Sequence, residues 1–240
     1  MTNVIQNTPE TAIRLTGATV RYRQRHSFFR HSYHVALDAL DFDVLRGETL
    51  GVIGRNGCGK STLLKLLAGI YTPDDGVVET FGNRVSLLTL TAGFDPELSG
   101  YENAILSGML LGNSKASVMK LLDQIFEFSE LEKAIYQPLK TYSSGMRARL
   151  GFAIAIIVNT DVLLIDEILG VGDVKFRQKA IRTLANRVNS DQTVVLVSHS
   201  GRRIKKLCKR AIWLEDGAIK EAGNSAKVVK AYETALANEE

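Results

Sequence analysis

The sequence predicts an α/β fold organised around a parallel sheet, and two observations carry that prediction. Along the second half of the chain, short apolar runs of strand length (VLLID, TVVLVS, AIWLE) alternate with stretches of helical character. Strands covered by crossover helices require such alternation. Earlier, Leu50-Gly51-Val52-Ile53 breaks at Gly54 into a glycine-rich turn and passes into helical spacing over Ser61 to Ala68.

Taken in order, residues 1–11 lack the basic and apolar segments of a signal peptide and are expected to form a loose tail, with the folded domain over 12–240. Ile13 to Tyr22 alternates apolar and polar residues with β-branched side chains, as a strand does. A basic, aromatic insertion (RQRHSFFRHSYH, Arg23 to His34) separates it from a second strand-like run, VALDALDFDV. Short strands follow near Val77 to Thr80 and Val85 to Leu88. Between Pro96 and Pro138 the character changes. ENAILSGMLLG and SVMKLLDQIFEF carry apolar residues at intervals of three and four, which marks a helical insert. Then come VLLID, a helix from Asp173, TVVLVS, a helix from Arg202, AIWLE and a turn at Asp216-Gly217.

The composition, 45% hydrophobic and 23% charged over 240 residues, is that of an ordinary globular protein able to bury a core. No apolar run reaches the roughly eighteen residues of a membrane span. Cys58 and Cys208 are the two cysteines, and their spacing suggests neither a metal site nor a disulfide framework, so a cytosolic chain is expected. The net charge of +4 is mild and gives no reason to expect nucleic acid. The basic run Gly201 to Arg210 reads as a solvated helix face, with contact to a membrane surface as the alternative.

The chemistry begins at GRNGCGKST, Gly54 to Thr62, which fits a glycine, four residues, then glycine-lysine-serine. Gly54, Gly57 and Gly59 let the backbone curl so that successive amides converge on phosphates. The helix that follows adds its positive end. Lys60 is expected to reach the β and γ phosphates, and the Ser61 hydroxyl to ligate Mg²⁺. VLLIDE ends an apolar strand in two carboxylates. Asp166 is expected in the Mg²⁺ shell and Glu167 to orient or deprotonate an attacking water. His199, at the end of TVVLVS, stands at the same sheet edge and is a candidate contact for the γ-phosphate; a structural histidine is the plain alternative.

These residues resemble the ATP-binding cassette (ABC) ATPases, and the resemblance spans nearly the whole chain. It implies a P-loop NTPase with a RecA-like parallel sheet core, an N-terminal antiparallel β subdomain and an inserted helical subdomain at about 96–158. ATP and Mg²⁺ are the implied ligands, with Asn56, Cys58 and Thr62 among the nucleotide-binding positions. Tyr22 would stack on adenine, with Phe29 or Tyr33 as substitutes and a plain core tyrosine as the alternative. In that family a signature loop, usually Leu-Ser-Gly-Gly-Gln, opens a helix shortly before the acidic strand. Tyr142-Ser143-Ser144-Gly145-Met146 stands at that place. The resemblance aims it at the γ-phosphate of ATP held by the other subunit of a homodimer. Cys58 reads first as a plain small residue at a variable loop position; a reactive thiolate, favoured by the Lys60 charge and a helix N-terminus, is the hypothesis beside it.

Departures from the common pattern narrow the likeness. YSSGMRARLGF and the D-loop Val171-Gly172-Asp173, followed by Phe176 and Lys179, are similar to the branch that exports O-antigen, capsule or teichoic acid polymers. GFDPELSGYEN also resembles that branch, and Asp95 stands near the place of the usual Q-loop glutamine. The resemblance implies an ATPase coupled to export of lipid-linked polysaccharide, O-antigen first. It would work with a pair of integral-membrane permease subunits at the cytoplasmic face of the inner membrane. A soluble ABC ATPase acting on ribosomes or DNA is the alternative of another class, and an importer ATPase would carry the glutamine and the ordinary signature. The Arg23 to His34 insertion would be a solvated loop or an interfacial segment at the membrane mouth, with metal binding a third reading.

Overall fold

The computed structural model describes residues 10–25, 31–88, 93–158, 160–166, 173–188 and 191–238. The first half runs β1 (Thr11–Arg25), β2 (His31–Leu45), β3 (Thr49–Ile53), α1 (Lys60–Leu67), β4 (Asp75–Glu79) and β5 (Val85–Leu87). The helical insert follows as α2 (Gly100–Leu110), α3 (Lys115–Met119), α4 (Leu122–Ser129) and α5 (Ser144–Ile157), with 3-10 turns at Glu132–Tyr136 and Leu139–Thr141. The rest alternates: β6 (Val162–Ile165), α6 (Val174–Val188), β7 (Thr193–Val197), α7 (Gly201–Leu207), β8 (Arg210–Glu215), β9 (Ala218–Asn224) and α8 (Ser225–Ala237).

Every residue of β3, β6 and β7 is buried. That is why those strands read as unbroken apolar runs: a parallel strand covered on both faces has no solvent side. They lie side by side in a six-stranded sheet of order β5-β6-β7-β3-β8-β9. β5 through β8 are parallel, and β9 returns antiparallel to β8. The return is the turn Asp216-Gly217, where both residues have positive φ (47° and 81°), as a two-residue hairpin of matching twist requires. Reading by pattern stops at that turn, so β9 and α8 are additions made by the structure. A second, three-stranded sheet of order β2-β1-β4 is antiparallel throughout.

The expected insertion from Arg23 to His34 is corrected in its described parts. β1 and β2 continue pairing through Tyr22↔His34, Arg23↔Tyr33, Gln24↔Ser32 and Arg25↔His31. Ladder hydrogen bonds carry the strands past the point where a buried face stops imposing an alternating pattern. Residues 26–30, including Phe29, lie outside the described residues.

Among the described residues, three apolar clusters hold these layers. One packs the antiparallel sheet and α1 on one face of the large sheet, through Ile13, Leu37, Leu63 and Leu64. Another packs α5, α6 and α8 on the opposite face, around Phe152, Phe176 and Tyr232. The third is the insert's own core, with Ile125, Leu131 and Ile135. α5 is shared: Phe152 and Ile156 enter the sheet-side cluster, whereas Leu150 and Ile154 enter the insert. A helix apolar on all sides must be covered on all sides, and α5 from Leu150 onward meets that condition by standing between two cores.

Phe152 is fully buried and its ring lies 5.9 Å from that of Phe128 and 6.1 Å from that of Phe176. Phe152→Ala should therefore lower unfolding stability by about 3–5 kcal/mol, read as a fall in the urea midpoint.

Candidate nucleotide-binding site

The glycine loop leaves the buried end of β3 and enters α1 through Gly59, whose φ of 105° is open to glycine and costly to other residues. No side chain caps this helix, so its first amides face outward, where an anion suits them. A second constraint is space. A Cβ on Gly54 would stand 2.2 Å from the Leu214 carbonyl oxygen, and one on Gly59 would stand 2.5 Å from that of Ala36. The loop is thus a backbone cradle walled in by β8 and β2.

Lys60 is 8% exposed, and its ammonium donates to the carbonyls of Gly54 at 2.8 Å and Arg55 at 2.5 Å. Its charge is held over the loop rather than out in solvent. Ser61 Oγ donates to Asp166 Oδ2 at 2.9 Å, joining the start of α1 to the end of β6. A hydroxyl and a carboxylate are hard oxygen donors of the kind Mg²⁺ accepts beside phosphate oxygens and water. Among the described residues no group of three or more His, Cys, Asp or Glu gathers to form an all-protein metal cage. The donor set and the cradle fit Mg²⁺ bound together with a nucleotide phosphate. Asn56 and Gly57 are exposed on the loop. The Tyr22 and Thr62 hydroxyls lie 3.0 Å apart, and the Tyr22 ring meets Tyr71 edge-on at 5.9 Å. This brings the β1 aromatic to the first turn of α1.

The hypothesis of a Cys58 thiolate is corrected. Cys58 is buried, and burial pushes its thiol above the ordinary value, although Lys60 Nζ lies 3.7 Å from its sulfur and pulls the other way. Desolvation of the thiolate outweighs the nearby charge. The Cys208 thiol is likewise pushed up by burial, to about 12.

Sheet order supplies the rest. β6, β7 and β3 are neighbours and parallel, so Asp166, His199 and the glycine loop leave their carboxyl ends together, where open α/β sheets place ligands. His199 is exposed at that edge. Glu167, Val171 and Gly172 lie outside the described residues.

Ser143 caps α5, its Oγ accepting the Met146 amide at 3.1 Å, and Ser144 is exposed on the first turn with Gly145 beside it. Tyr142 is corrected as a member of that exposed group. It is buried, and its hydroxyl donates to the Ala134 carbonyl at 2.7 Å. Burial raises its phenol to about 12. The signature tyrosine anchors the helix from below while the serines and glycine face out. Asp173 caps α6 by accepting the Phe176 amide at 2.9 Å and pairs with Arg149 of α5. The Asp95 carboxylate accepts the Glu97 amide at 2.9 Å, and its backbone is bracketed by Asn103, so Asp95 shapes the turn into α2. Asn103, fully buried, escaped the sequence reading because a core asparagine carries no periodic signal. Arg149 and Glu130 escaped it because their partners are distant in sequence. An apolar cleft of about 420 Å³ between β5, α2 and α5 contains no residue of the glycine loop and is separate from this site.

A family profile described as ABC transporter matches residues 37–170. The chain is 41% identical over 204 residues to the O-antigen export system ATP-binding protein RfbB of Klebsiella pneumoniae, covering 85% of this chain and 83% of that protein. It is 37% identical over 223 residues to the teichoic acids export ATP-binding protein TagH of Staphylococcus haemolyticus, covering 93% and 82%. A bacterial ABC transporter cassette solved as a dimer superposes with a TM-score of 0.71 at 22% identity, covering 89% of this chain and 98% of that one. With a glycine cradle, a buried lysine over it and a serine bonded to the acidic strand end, the chain belongs to the ABC transporter family, as one of its ATP-hydrolysing cassettes.

Proposed function

We propose that this cassette drives export of lipid-linked polysaccharide, O-antigen in the first place, across the inner membrane. The observation that carries the reading is the similarity, over more than four-fifths of the chain, to ATP-binding proteins named for polymer export. The match to TagH covers the larger share of this chain, 93% against 85%, which keeps teichoic acid export as the second reading. A homodimer would face a pair of integral-membrane permease subunits at the cytoplasmic side. No helix among the described residues is long and apolar enough to cross a membrane, which is consistent with a separate channel subunit.

ATP supplies the phosphoanhydride bond whose hydrolysis resets the dimer. The loop amides and Lys60 would hold the phosphates, and Ser61 and Asp166 would hold Mg²⁺, which would neutralise charge on the phosphate oxygens. Glu167 would take a proton from the attacking water, with His199 beside the γ-phosphate of the same protomer's nucleotide. Ser143, Ser144 and Gly145 of one subunit close on the nucleotide held by the other, where serine hydroxyls and a helix N-terminus suit an anion. Tyr22, whose hydroxyl lies 3.0 Å from that of Thr62, would stack on the base.

Lys60→Ala should weaken ATP binding about 10- to 100-fold, the loss expected for hydrogen bonds to a charged group worth about 1.5–3 kcal/mol, measured by equilibrium titration. Glu167→Gln should keep binding yet lower turnover at least about 100-fold; wild-type turnover in that variant would remove Glu167 from the role of base. Mixed dimers test the sandwich. With Lys60→Ala and Gly145→Asp on opposite subunits one intact site remains, and with both on one subunit none does, so the first should be the more active. The reverse order would sink the arrangement in trans. For the polymer, Arg23 and Tyr33 are exposed cross-strand partners on the β1–β2 ribbon. Changing Arg23 to serine should leave ATPase activity unchanged and lower polymer display on cells. Normal display would detach the ribbon from export.

A further inference from the structure

Glu130 follows α4 in the left-handed region, with φ 55° and ψ 35°. Glycine or asparagine is the usual residue there, because a side chain meets its own backbone in that conformation. Its carboxylate explains what stands in glycine's place. Oε1 pairs with Lys179 of α6 at 2.8 Å, and Oε2 faces Arg149 of α5 at 3.7 Å. Lys179 also donates to the Phe128 carbonyl at 3.0 Å and lies 4.5 Å from the centre of the Phe128 ring. Arg149 stands 5.1 Å from the Phe176 ring and pairs with Asp173. Lys179, Lys175 and Arg149 together hold the Glu130 carboxyl below the usual range.

Under the sandwich arrangement proposed above, two of the elements joined here would present their first residues to the partner's nucleotide. α5 begins at Ser143 to Gly145, and α6 begins at Asp173. The junction lies about one and a half turns behind both helix starts. Glu130 is 37% exposed, and exposed pairs of this kind contribute little net stability. The left-handed conformation costs a non-glycine residue at least as much. Stability alone therefore does not account for a glutamate at this position, and an observed outlier of this sort points to function.

We propose that Glu130 is a positioning residue for the composite ATP site. By bridging Arg149 and Lys179 it locks the signature helix and the start of α6 into one body, so that Ser143–Gly145 and Asp173 reach the partner's nucleotide together. The proposal rests on the sandwich arrangement given above. When the bridge is cut, the Arg149–Asp173 pair and the Phe152–Phe176 contact still join α5 to α6, but Arg149 and Lys179 lose the carboxylate that fixes their geometry and the two helix starts are aligned less closely.

Glu130→Gly separates positioning from structure, because it relieves the left-handed strain while removing the bridge. Lys179→Met removes the other end while keeping an apolar contact with Phe128. Turnover at saturating ATP, ATP affinity and the thermal midpoint would be measured for both as full-length dimers. The expected result is turnover about tenfold below wild type in each variant, affinity within twofold, and a midpoint for Glu130→Gly no lower than wild type. The double variant should be no slower than the slower single one. Turnover within twofold of wild type in Glu130→Gly would overturn the proposal, as would losses that simply follow the midpoints. The mixed Lys60→Ala and Gly145→Asp dimers serve as control: if their order is reversed, the sandwich reading has failed rather than the role of Glu130.

Discussion

The phosphate cradle is built by crowding. The loop between β3 and α1 can curl only if Gly54 and Gly59 lack side chains, because the Leu214 and Ala36 carbonyls stand where their Cβ atoms would be. That contact fixes more than the loop. It brings β8 from one sheet and β2 from the other against the same few residues, so the antiparallel sheet is docked on the parallel one at the place where phosphate would bind. Lys60 gains from the same enclosure. Its ammonium is buried, and the Gly54 and Arg55 carbonyls beneath it satisfy a charge that would otherwise be costly to desolvate.

The helical insert is tied to this cradle indirectly, through α5. One side of that helix closes the insert, and the other packs Phe152 against Phe176 on the sheet side. Its first turn is left for function, since Ser143 supplies the cap and Tyr142 is drawn down to the Ala134 carbonyl. The exposed serines and glycine therefore sit on a firm base. Charges do the fine adjustment at the rim, where Arg149 links α5 to the start of α6. Such pairs contribute little to stability individually, but their geometry restrains how two helix ends are presented.

Much of the site was legible because it is local in sequence. The strand, glycine turn and helix around Lys60 are consecutive, and Gly57 and Gly59 are demanded by positive φ (84° and 105°). Asp166 was legible for a similar reason: a carboxylate ending an apolar strand has to emerge at the sheet edge. The errors fall where solvation or pairing decides. The thiolate hypothesis for Cys58 rested on its neighbour Lys60, yet its burial raises the thiol. Tyr142 was grouped with the serines beside it, although consecutive residues at a helix start point to opposite sides.

The alternation of strands and helices, the left-handed turns at Gly57 and Gly59 and the acidic strand end are set locally, because backbone periodicity and φ requirements act over a few neighbouring positions. Tertiary structure decided the rest. The β1–β2 ribbon extends through Arg25 and His31 because strand pairing supplies hydrogen bonds that no single-strand pattern announces. Ser61 meets Asp166 across 105 residues because sheet order makes β6 a near neighbour of β3. Glu130 meets Arg149 and Lys179 because α4, α5 and α6 converge on one aromatic cluster. Contacts of this length depend on which faces are left to be covered once local elements have formed, and only the packed chain contains that information.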